Sequence, residues 1–244
     1  MASPFYDPGE QRAAKVNDLF AAIARRYDLL NDLQSLGLHR FWKQRVVRLA
    51  QVTPGARALD VCCGTGDIAL RLARAGADVV GLDFSDAMLA VAGKRQKAEG
   101  RKQRGEVSFV HGDAQKLPFH EAEFDIVTVG YGLRNLASWE TGLREMARVA
   151  KPGGRLLVLD FGKPANPIWR ALYFGYLRLA VPVLGRVFAG SADAYAYILE
   201  SLRHYPAQLG VAAKLRELGL VEVQTINLLG GAMSLHRAVK RESR

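Results

Sequence analysis

The chain has 244 residues, of which 49% are hydrophobic and 24% charged, and its formal net charge is +10. This composition is typical of a globular protein with a sizeable core, and the length favours one large α/β domain over two domains. A membrane-spanning helix is excluded, because the sequence contains no run of about 18 uncharged apolar residues.

The first segment of the chain, residues 10–50, is predicted to be helical. Val16, Phe20 and Ile23 follow one another at spacings of four and three residues, which place them on one face of a helix. Pro54-Gly55 ends this segment. We expect residues 10–50 to form an N-terminal helical lid within a single domain that comprises residues 1–244.

From Arg57 onward, short apolar strands alternate with helices. The predicted strands are Arg57–Cys63, Asp78–Asp83, Val107–His111, Phe124–Gly130, Arg155–Phe161, Val221–Leu228 and Met233–Lys240. The predicted helices are Asp67–Ala75, a segment starting at Ser85, Trp139–Ala150 and Ala207–Leu218. Such alternation indicates a Rossmann-like α/β fold, with a seven-stranded, mostly parallel sheet, helices on both faces and an antiparallel C-terminal hairpin.

A glycine-rich turn, Gly64-Thr65-Gly66, follows the first predicted strand and leads into a helix. Because glycine has no side chain, the backbone at this turn can approach a ligand closely. Asp83 ends the second strand 19 positions after Gly64, where a carboxylate can accept hydrogen bonds from ribose hydroxyls. Asp113 ends the third strand, where it can accept hydrogen bonds from an adenine amino group. This pattern predicts a site for a nucleoside-containing cofactor.

The residues around the turn favour S-adenosylmethionine over a dinucleotide. Asp67 stands two positions short of the third glycine of a G-x-G-x-x-G motif. Its carboxylate would repel a pyrophosphate but is compatible with a sulfonium and an α-amino group. Asp60 and Gly66 are further candidates for cofactor binding. The alternatives are that Asp60 caps the following helix and that Gly66 serves only helix packing.

Four further motifs occur in order along the chain. They are Tyr27-Asp28-Leu29-Leu30-Asn31 with Ser35, His39 and Trp42; Gly132-Leu133-Arg134-Asn135; Arg148-Val149-Ala150-Lys151-Pro152-Gly153-Gly154 continuing to Leu159-Asp160-Phe161-Gly162-Lys163-Pro164; and Gly230-Gly231-Ala232-Met233-Ser234-Leu235-His236. Together they resemble the ubiquinone/menaquinone-biosynthesis C-methyltransferases (UbiE/MenG type) over nearly the whole chain. The resemblance implies the class I methyltransferase fold, S-adenosyl-L-methionine as cofactor and a polyprenylated hydroquinone as substrate.

The resemblance also implies cofactor contacts at Thr65, Asp83 and Asp113-Ala114. Methylation of a ring carbon depends mainly on alignment, and it is helped by a base or by a cation that stabilises a phenolate. Arg134 and Asn135 are the leading catalytic candidates, because their turn leaves the fourth strand beside the cofactor cleft. Arginine would act as the stabilising cation, since it hardly deprotonates.

The N-terminal lid supplies further candidates. His39 is a candidate base, because histidine titrates near neutral pH, and the alternative is that it caps a helix. Tyr27 and Asn31 are candidate substrate contacts. We predict neither a metal site nor a disulfide framework, because the two cysteines, Cys62 and Cys63, are adjacent and no metal-ligand spacing occurs.

Residues 161–192 carry aromatic and basic residues but no acidic residue. We expect this insertion to cover a prenyl tail or to contact an anionic membrane surface, and the alternative is an amphipathic helix pair packed on the sheet. The N-terminus has neither a secretory nor a transit signal. The predicted location is therefore the cytoplasm, with peripheral contact at the inner face of the membrane.

Some alternatives stay open at the level of sequence. The ring is the naphthoquinol of menaquinone synthesis, which we favour, or the benzoquinol of ubiquinone synthesis. A nucleic-acid methyltransferase is suggested by the net charge and by the six basic residues between Lys94 and Arg104, but no RNA-binding module accompanies them. A non-catalytic binder is disfavoured by the intact cofactor pattern. The oligomeric state is not readable, so a homo-oligomer stays among the candidate partners.

Overall fold

A computed structural model describes residue 18 and residues 20–100, 103–189 and 193–242. The predicted helical residues 10–17 and 19, residues 101–102 of the basic run, and residues 190–192 of the insertion lie outside the described residues. Within the described ranges, the chain winds around a central sheet.

The sheet has seven strands in the order β3-β2-β1-β4-β5-β7-β6. The strands are β1 (Arg57–Val61), β2 (Asp78–Asp83), β3 (Val107–His111), β4 (Phe124–Gly130), β5 (Ala150–Phe161), β6 (Leu220–Leu228) and β7 (Met233–Lys240). Strands β1 to β5 pair in parallel, whereas β7 pairs antiparallel with both β5 and β6. The predicted α/β fold is confirmed, including its antiparallel C-terminal strands.

The strand order reverses between β1 and β4, which are neighbours in the sheet although β2 and β3 lie between them in the chain. In open parallel sheets, ligands bind in the crevice outside the carboxyl ends of the strands at such a reversal. The turns that follow β1 and β4 are therefore the expected walls of a binding site.

The helices are α1 (Tyr27–Ser35), α2 (Leu38–Ala50), α3 (Asp67–Ala75), α4 (Asp86–Glu99), α5 (Trp139–Val149), α6 (Pro167–Ala189), α7 (Asp193–His204) and α8 (Ala207–Glu217). They cover both faces of the sheet. Neighbouring residues on β5 show this, because side chains alternate between the faces of a strand. Leu156 belongs to the core beneath α5 and α8, whereas Leu157 belongs to the core beneath α2 and α3.

Three strand boundaries differ from those predicted, and the smallest difference is at β6, which begins at Leu220 rather than Val221. Strand β1 ends at Val61 rather than Cys63, because Cys62 adopts a positive φ of 53° and leaves the extended conformation. Strand β5 begins at Ala150 rather than Arg155, because Ala150 pairs with Phe124 across an irregularity in the ladder. Proline and glycine locally favour a turn over a strand, and tertiary pairing overrides this preference at Pro152-Gly153-Gly154.

The lid and the insertion meet above the carboxyl edge of the sheet. Helix α2 packs on α3 and β5, while α1 packs on α6. Tyr176 OH on α6 donates a hydrogen bond to Gln34 O on α1 at 2.8 Å. In the part of the chain that the structure describes, no helix is both long and apolar enough to cross a membrane.

Candidate functional site

Two cavities adjoin at the carboxyl edge of the sheet, beside the crevice between β1 and β4. The first cavity encloses about 820 Å³ and the second, here called the chamber, about 2070 Å³, each counted together with its open mouth. Phe20, Tyr27 and Tyr131 line both spaces. A ligand in the first cavity would therefore lie next to a ligand in the chamber.

The glycine turn and Asp83 form the polar side of the first cavity. Gly64, with a positive φ of 55°, donates its backbone N–H to Asp83 Oδ2 at 2.8 Å, and Ser85 N donates to Asp83 Oδ1 at 2.9 Å. Burial raises the pKa of Asp83, although these backbone hydrogen bonds lower it. The two bonds fix the carboxylate at the end of β2 and leave each oxygen a second lone pair for a ligand.

The opposite side of the first cavity combines an apolar slot with a second carboxylate. It is lined by Leu82, Phe84, Met88, Gly112, Asp113 and Ala114. Asp113 Oδ1 accepts a hydrogen bond from Gln115 N at 2.8 Å, which orients the carboxylate. Ser85 Oγ is buried and has no hydrogen-bond partner among the described residues. An apolar slot between two carboxylates fits an adenosine, whose ring is flat and whose ribose and amino group donate hydrogen bonds.

Thr65 and Gly66 make contacts that hold the turn itself. Thr65 Oγ1 donates to Asp28 Oδ1 at 3.0 Å and accepts from Arg95 Nη1 at 3.0 Å, so it ties the turn to α1 and α4. Gly66 has a φ of 78°, and a Cβ there would lie 2.8 Å from Phe109 Cζ. A side chain at this position would therefore clash with Phe109 on β3. For both residues a direct cofactor contact stays a prediction.

Asp60 lies beneath the glycine turn and does not line the first cavity. Its Oδ2 accepts a hydrogen bond from Ala69 N in α3 at 3.0 Å, and its Oδ1 accepts one from Thr128 Oγ1 at 2.7 Å. Burial raises the pKa of Asp60 to about 7, although both hydrogen bonds lower it. These are the contacts of the alternative in which Asp60 binds the following helix. Its direct contact with a cofactor stays a prediction.

The raised pKa of Asp60 predicts a pH-dependent stability. The folded protein holds the Asp60 proton up to about pH 7, whereas the unfolded chain releases it near 3.8, so the free energy of unfolding falls as pH rises between these values. A shift of about three units corresponds to about 4 kcal/mol. Asp60→Asn, which cannot titrate, should lack this slope.

The measurement is urea unfolding of wild type and Asp60→Asn at a series of pH values. Asp86→Asn is the matched control, because Asp86 is exposed and has the same change of charge. A stability difference between Asp60→Asn and wild type that stays constant from pH 4 to pH 7 would contradict the prediction.

Asp67 forms two ion pairs that the sequence did not indicate. Although burial raises it, Lys43 and Arg71 hold the pKa of Asp67 well below its usual value. Lys43 Nζ lies 2.9 Å from Asp67 Oδ2, and Arg71 Nε lies 2.9 Å from Oδ1. The carboxylate stays ionised beside these cations, and it lines a small pocket that shares Gly64 and Tyr131 with the first cavity. Asp83 and Asp113 line the first cavity itself, and an interaction of Asp67 with a cationic part of the cofactor stays a prediction.

The chamber is apolar except at a few positions. Its polar lining includes Tyr27, Asn31, Gln34, Ser35, His39 and Arg134. Its apolar lining comes from α1, α2, α6 and the turn between β6 and β7. Such a space suits a large apolar ligand that carries one small polar group.

Arg134 is the fixed cation of the chamber. Its Nε lies 3.3 Å from Asp160 Oδ1, and its Nη1 donates to Ser201 Oγ at 2.7 Å and to Asn135 Oδ1 at 2.9 Å. The guanidinium also stacks over the ring of Phe161, with 4.7 Å to the centroid. Burial raises the pKa of Asp160 to about 6, although Arg134 lowers it. The arginine is thus held rigidly at the chamber wall.

The structure places the remaining predicted residues on both sides of the shared wall. Asn135 lines the first cavity, whereas Asn31 and His39 line the chamber, and Tyr27 borders both. Burial raises the pKa of Tyr27 to about 12, so its hydroxyl stays protonated at neutral pH. Burial, and then Lys43, lower the pKa of His39, so its ring is neutral there.

His39 is anchored within the lid. Its Nε2 lies 2.8 Å from Asp32 Oδ1, and its Nδ1 is buried without a hydrogen-bond partner in the described part of the chain. If Nε2 carries the proton, Nδ1 is left as an acceptor. The pair supports a neutral acceptor at the chamber wall, and a catalytic role for His39 stays a prediction.

The sequence reasoning missed three contributors to the site. Tyr131 follows β4 with a positive φ of 65° and separates the two cavities. Asp160 and Ser201 position Arg134. The Gly130-Tyr131-Gly132 sequence after the fourth strand was a usable signal for Tyr131, because this strand borders the crevice. No local signal indicated Ser201, which is 67 residues from Arg134 in sequence.

The strand order, the glycine turn and the carboxylates after β2 and β3 define an S-adenosylmethionine-dependent methyltransferase. The profile of the ubiE/COQ5 methyltransferase family matches residues 8–240, and the chain belongs to this family.

Similar proteins of known name agree with this assignment. The chain is 43% identical over 236 residues to the ubiquinone/menaquinone biosynthesis C-methyltransferase UbiE of Ectopseudomonas mendocina, covering 96% of this chain and 91% of that protein. It is 44% identical over 225 residues to the demethylmenaquinone methyltransferase of Beutenbergia cavernae, covering 92% and 90%. The fold is similar to magnesium protoporphyrin IX methyltransferase from Synechocystis, solved with bound SAH, with a TM-score of 0.65, 19% identity and coverage of 93% and 99%.

Proposed function

We propose that this protein methylates a ring carbon of a polyprenylated hydroquinone, and that its acceptor is demethylmenaquinol, which becomes menaquinol. The observation that carries the proposal is the apolar chamber, which is larger than the first cavity and shares Tyr27 and Tyr131 with it. A quinol ring at this shared wall would lie beside the cofactor, while its prenyl tail occupied the rest of the chamber.

S-adenosyl-L-methionine, when bound in the first cavity, supplies the methyl group. Asp83 would accept the ribose hydroxyls, and Asp113 with Ala114 would hold the adenine. Gly64 leaves room for the ligand beside the turn, because it has no side chain. Asp60 and Thr65 line a small pocket that shares Gly64 and Tyr131 with the first cavity, and they would contact the cofactor there. Gly66 would let the backbone of the turn come close to it.

Arg134 would stabilise the ring oxygen as it loses its proton. A fixed cation in a site that excludes water stabilises developing negative charge far more than it would in water. Asn135 accepts a hydrogen bond from Arg134 and donates one to Tyr131 O, so it would help to place the guanidinium beside the ring. Tyr27 and Asn31 would contact the substrate, and His39 is the candidate acceptor for the proton.

The choice of ring rests on weaker support. The relatives described above carry names from both pathways, ubiquinone/menaquinone and demethylmenaquinone. We favour the naphthoquinol, and the alternative is the benzoquinol of ubiquinone synthesis. The apolar lining of the chamber does not distinguish the two rings.

Lipid mass spectrometry of cells that lack this protein tests the proposal. We expect demethylmenaquinone to accumulate and the wild-type gene to restore menaquinone. Accumulation of a demethylated benzoquinone would move the assignment to the other ring, and unchanged quinones would defeat both.

A nucleic-acid methyltransferase is the remaining alternative. Its support is the net charge and the basic run from Lys94 to Arg104, of which residues 101–102 lie outside the described ranges. The apolar lining of the chamber does not suit a nucleotide chain, whose recognition is dominated by its phosphates. Methyl transfer to extracted RNA but not to quinols would favour this alternative.

We also propose that the protein works in the cytoplasm, in peripheral contact with the inner face of the membrane. Its substrate carries a prenyl tail and resides in the lipid phase, while its cofactor is water-soluble. An enzyme that joins the two needs access to both phases.

A further inference from the structure

Helix α6 carries apolar residues on an exposed side as well as on its buried side. Its buried stripe consists of Tyr173, Leu177 and Val181. Its outward stripe consists of Ile168, Leu172, Leu179 and Val183, whose exposed fractions are 73%, 62%, 70% and 60%. Contiguous exposed apolar surface of this kind marks a site of interaction. Among the residues that the structure describes, the outward stripe of α6 has no partner.

Exposed apolar residues continue from α6 across the mouth of the chamber. At the turn between α1 and α2, Leu36 is 88% exposed and Leu38 is 40% exposed, and Leu229 between β6 and β7 is 50% exposed. These three residues and Leu172 also line the chamber. We call the outward stripe together with Leu36, Leu38 and Leu229 the port. Its surface is continuous with the apolar interior of the chamber.

Leu36 is unusual in two respects. Its backbone is left-handed, with a φ of 50° and a ψ of 39°, a conformation that glycine and asparagine adopt far more readily than leucine. Its side chain is also the most exposed of the large hydrophobic residues described. The turn would favour glycine or asparagine at this position, and the exposed side chain adds nothing to the core. An apolar partner that buries the side chain would explain the leucine.

The port is held in a fixed shape by its polar groups. Three aromatic side chains of α6 donate hydrogen bonds to backbone carbonyls of other elements. Trp169 Nε1 donates to Leu229 O at 3.0 Å, Tyr173 OH to Ala232 O at 3.0 Å and Tyr176 OH to Gln34 O at 2.8 Å. These bonds connect α6 to the other two walls of the mouth.

The charge on α6 is positive. Helix α6 contains no acidic residue, and its Arg170 and Arg178 are exposed. Arginines beside an apolar surface suit an interface with anionic lipid headgroups, where the side chains can extend towards the phosphates. The exposed apolar surface also continues into the chamber. A bilayer that delivers an apolar ligand needs this continuity, whereas a water-soluble protein partner does not.

On the basis of the proposed function, we propose that the port docks on an anionic lipid bilayer and that the prenyl tail passes through it from the lipid phase directly into the chamber. The outward stripe and Leu36 would enter the acyl region, and Arg170 and Arg178 would lie at the headgroups. The quinol then reaches the shared wall without crossing water.

Flotation with vesicles of phosphatidylcholine, alone or mixed with phosphatidylglycerol, tests the docking. We expect the protein to bind the mixed vesicles. Ile168→Asp and Leu179→Asp should each weaken binding about tenfold or more, because burial of the aliphatic side chain is lost. Arg170→Gln and Arg178→Gln should each weaken vesicle binding roughly fivefold at low salt. The effect of each substitution should be smaller at high salt, because salt screens the attraction between arginine and the headgroups. Leu209→Asp is the matched control, because Leu209 is 83% exposed but lies outside the port.

Leu36→Asn separates docking from folding. Asparagine tolerates the left-handed backbone, so the melting temperature should stay the same or rise, while vesicle binding falls. Equal binding by Leu36→Asn and wild type, or an equal loss in Leu209→Asp, would overturn the port. A dimer in light scattering that Leu179→Asp dissociates, without vesicle binding by wild type, would assign the surface to a second copy of the chain.

Methylation assays distinguish failure of the port from failure of the proposed function. Ile168→Asp and Leu179→Asp lie outside the chamber lining, so they should methylate a short-tailed quinol in solution like wild type. With a long-tailed quinol embedded in the mixed vesicles, their rate should fall with binding. If wild type binds these vesicles but methylates no quinol, the docking stands and the proposed function fails.

Discussion

Replacing Asp83 with asparagine should weaken the binding of S-adenosylhomocysteine about 100-fold. A carboxylate that accepts two hydrogen bonds from ribose hydroxyls contributes about 1.5–3 kcal/mol for each bond. Asparagine keeps only one oxygen, and its amino group would face either Gly64 N or Ser85 N, which donate to the two carboxylate oxygens at 2.8 and 2.9 Å. The substitution thus removes a ligand contact and disturbs the turn that holds the ligand.

Calorimetry measures the affinity, and a ligand analogue identifies the contact. Wild type should bind the 2′-deoxyribose form of S-adenosylhomocysteine more weakly than the ribose form. Asp83→Asn should bind the two forms with nearly equal affinity, because its contact with the hydroxyl is already lost. Asp86→Asn is the control, because it lies three residues away, is exposed and does not line the first cavity. If wild type binds the ribose and deoxyribose ligands equally, Asp83 does not hold the ribose.

The position of the cofactor site could be predicted from the sequence because it depends on local features. A glycine turn after one strand and a carboxylate at the end of the next are set by strand and turn signals, and a parallel sheet brings their carboxyl ends together. Asp83 and Asp113 accordingly line one cavity. The ion pair of Asp67 could not be predicted, because its partner Lys43 lies on a helix 24 residues earlier in the sequence.

The partners of Arg134 were also difficult to predict, because they are distant from it in the sequence. The motif identified the arginine, but its partners lie on β5 and α7, and their approach depends on how the helices pack. The exposed stripe of α6 was also hidden from the sequence. An apolar helix has the same pattern whether its second face meets a protein core or a bilayer, so only the packed structure shows which face lacks a partner.

Replacing Arg134 should have the largest effect on turnover. Removal of one charge that stabilises the transition state typically lowers kcat about 100- to 1000-fold. Arg134→Met should do so and should also lower the free energy of unfolding by about 3–5 kcal/mol, because it leaves Asp160 buried without its cation. The loss of stability should shrink below pH 6, since burial raises the pKa of Asp160 to about 6 and the carboxyl is then neutral in wild type as well.

Arg134→Lys separates catalysis from stability. Lysine keeps a positive charge near Asp160 but loses the planar group that stacks on Phe161 and reaches Ser201. We expect most of the stability to return while kcat stays at least about tenfold below wild type, with little change in the KM for S-adenosylmethionine. If the arginine only held the turn together, Arg134→Lys would recover turnover and stability in parallel. Urea unfolding and steady-state kinetics on the same preparations decide between these outcomes, because a cation that stabilises the ring oxygen must be placed as well as charged.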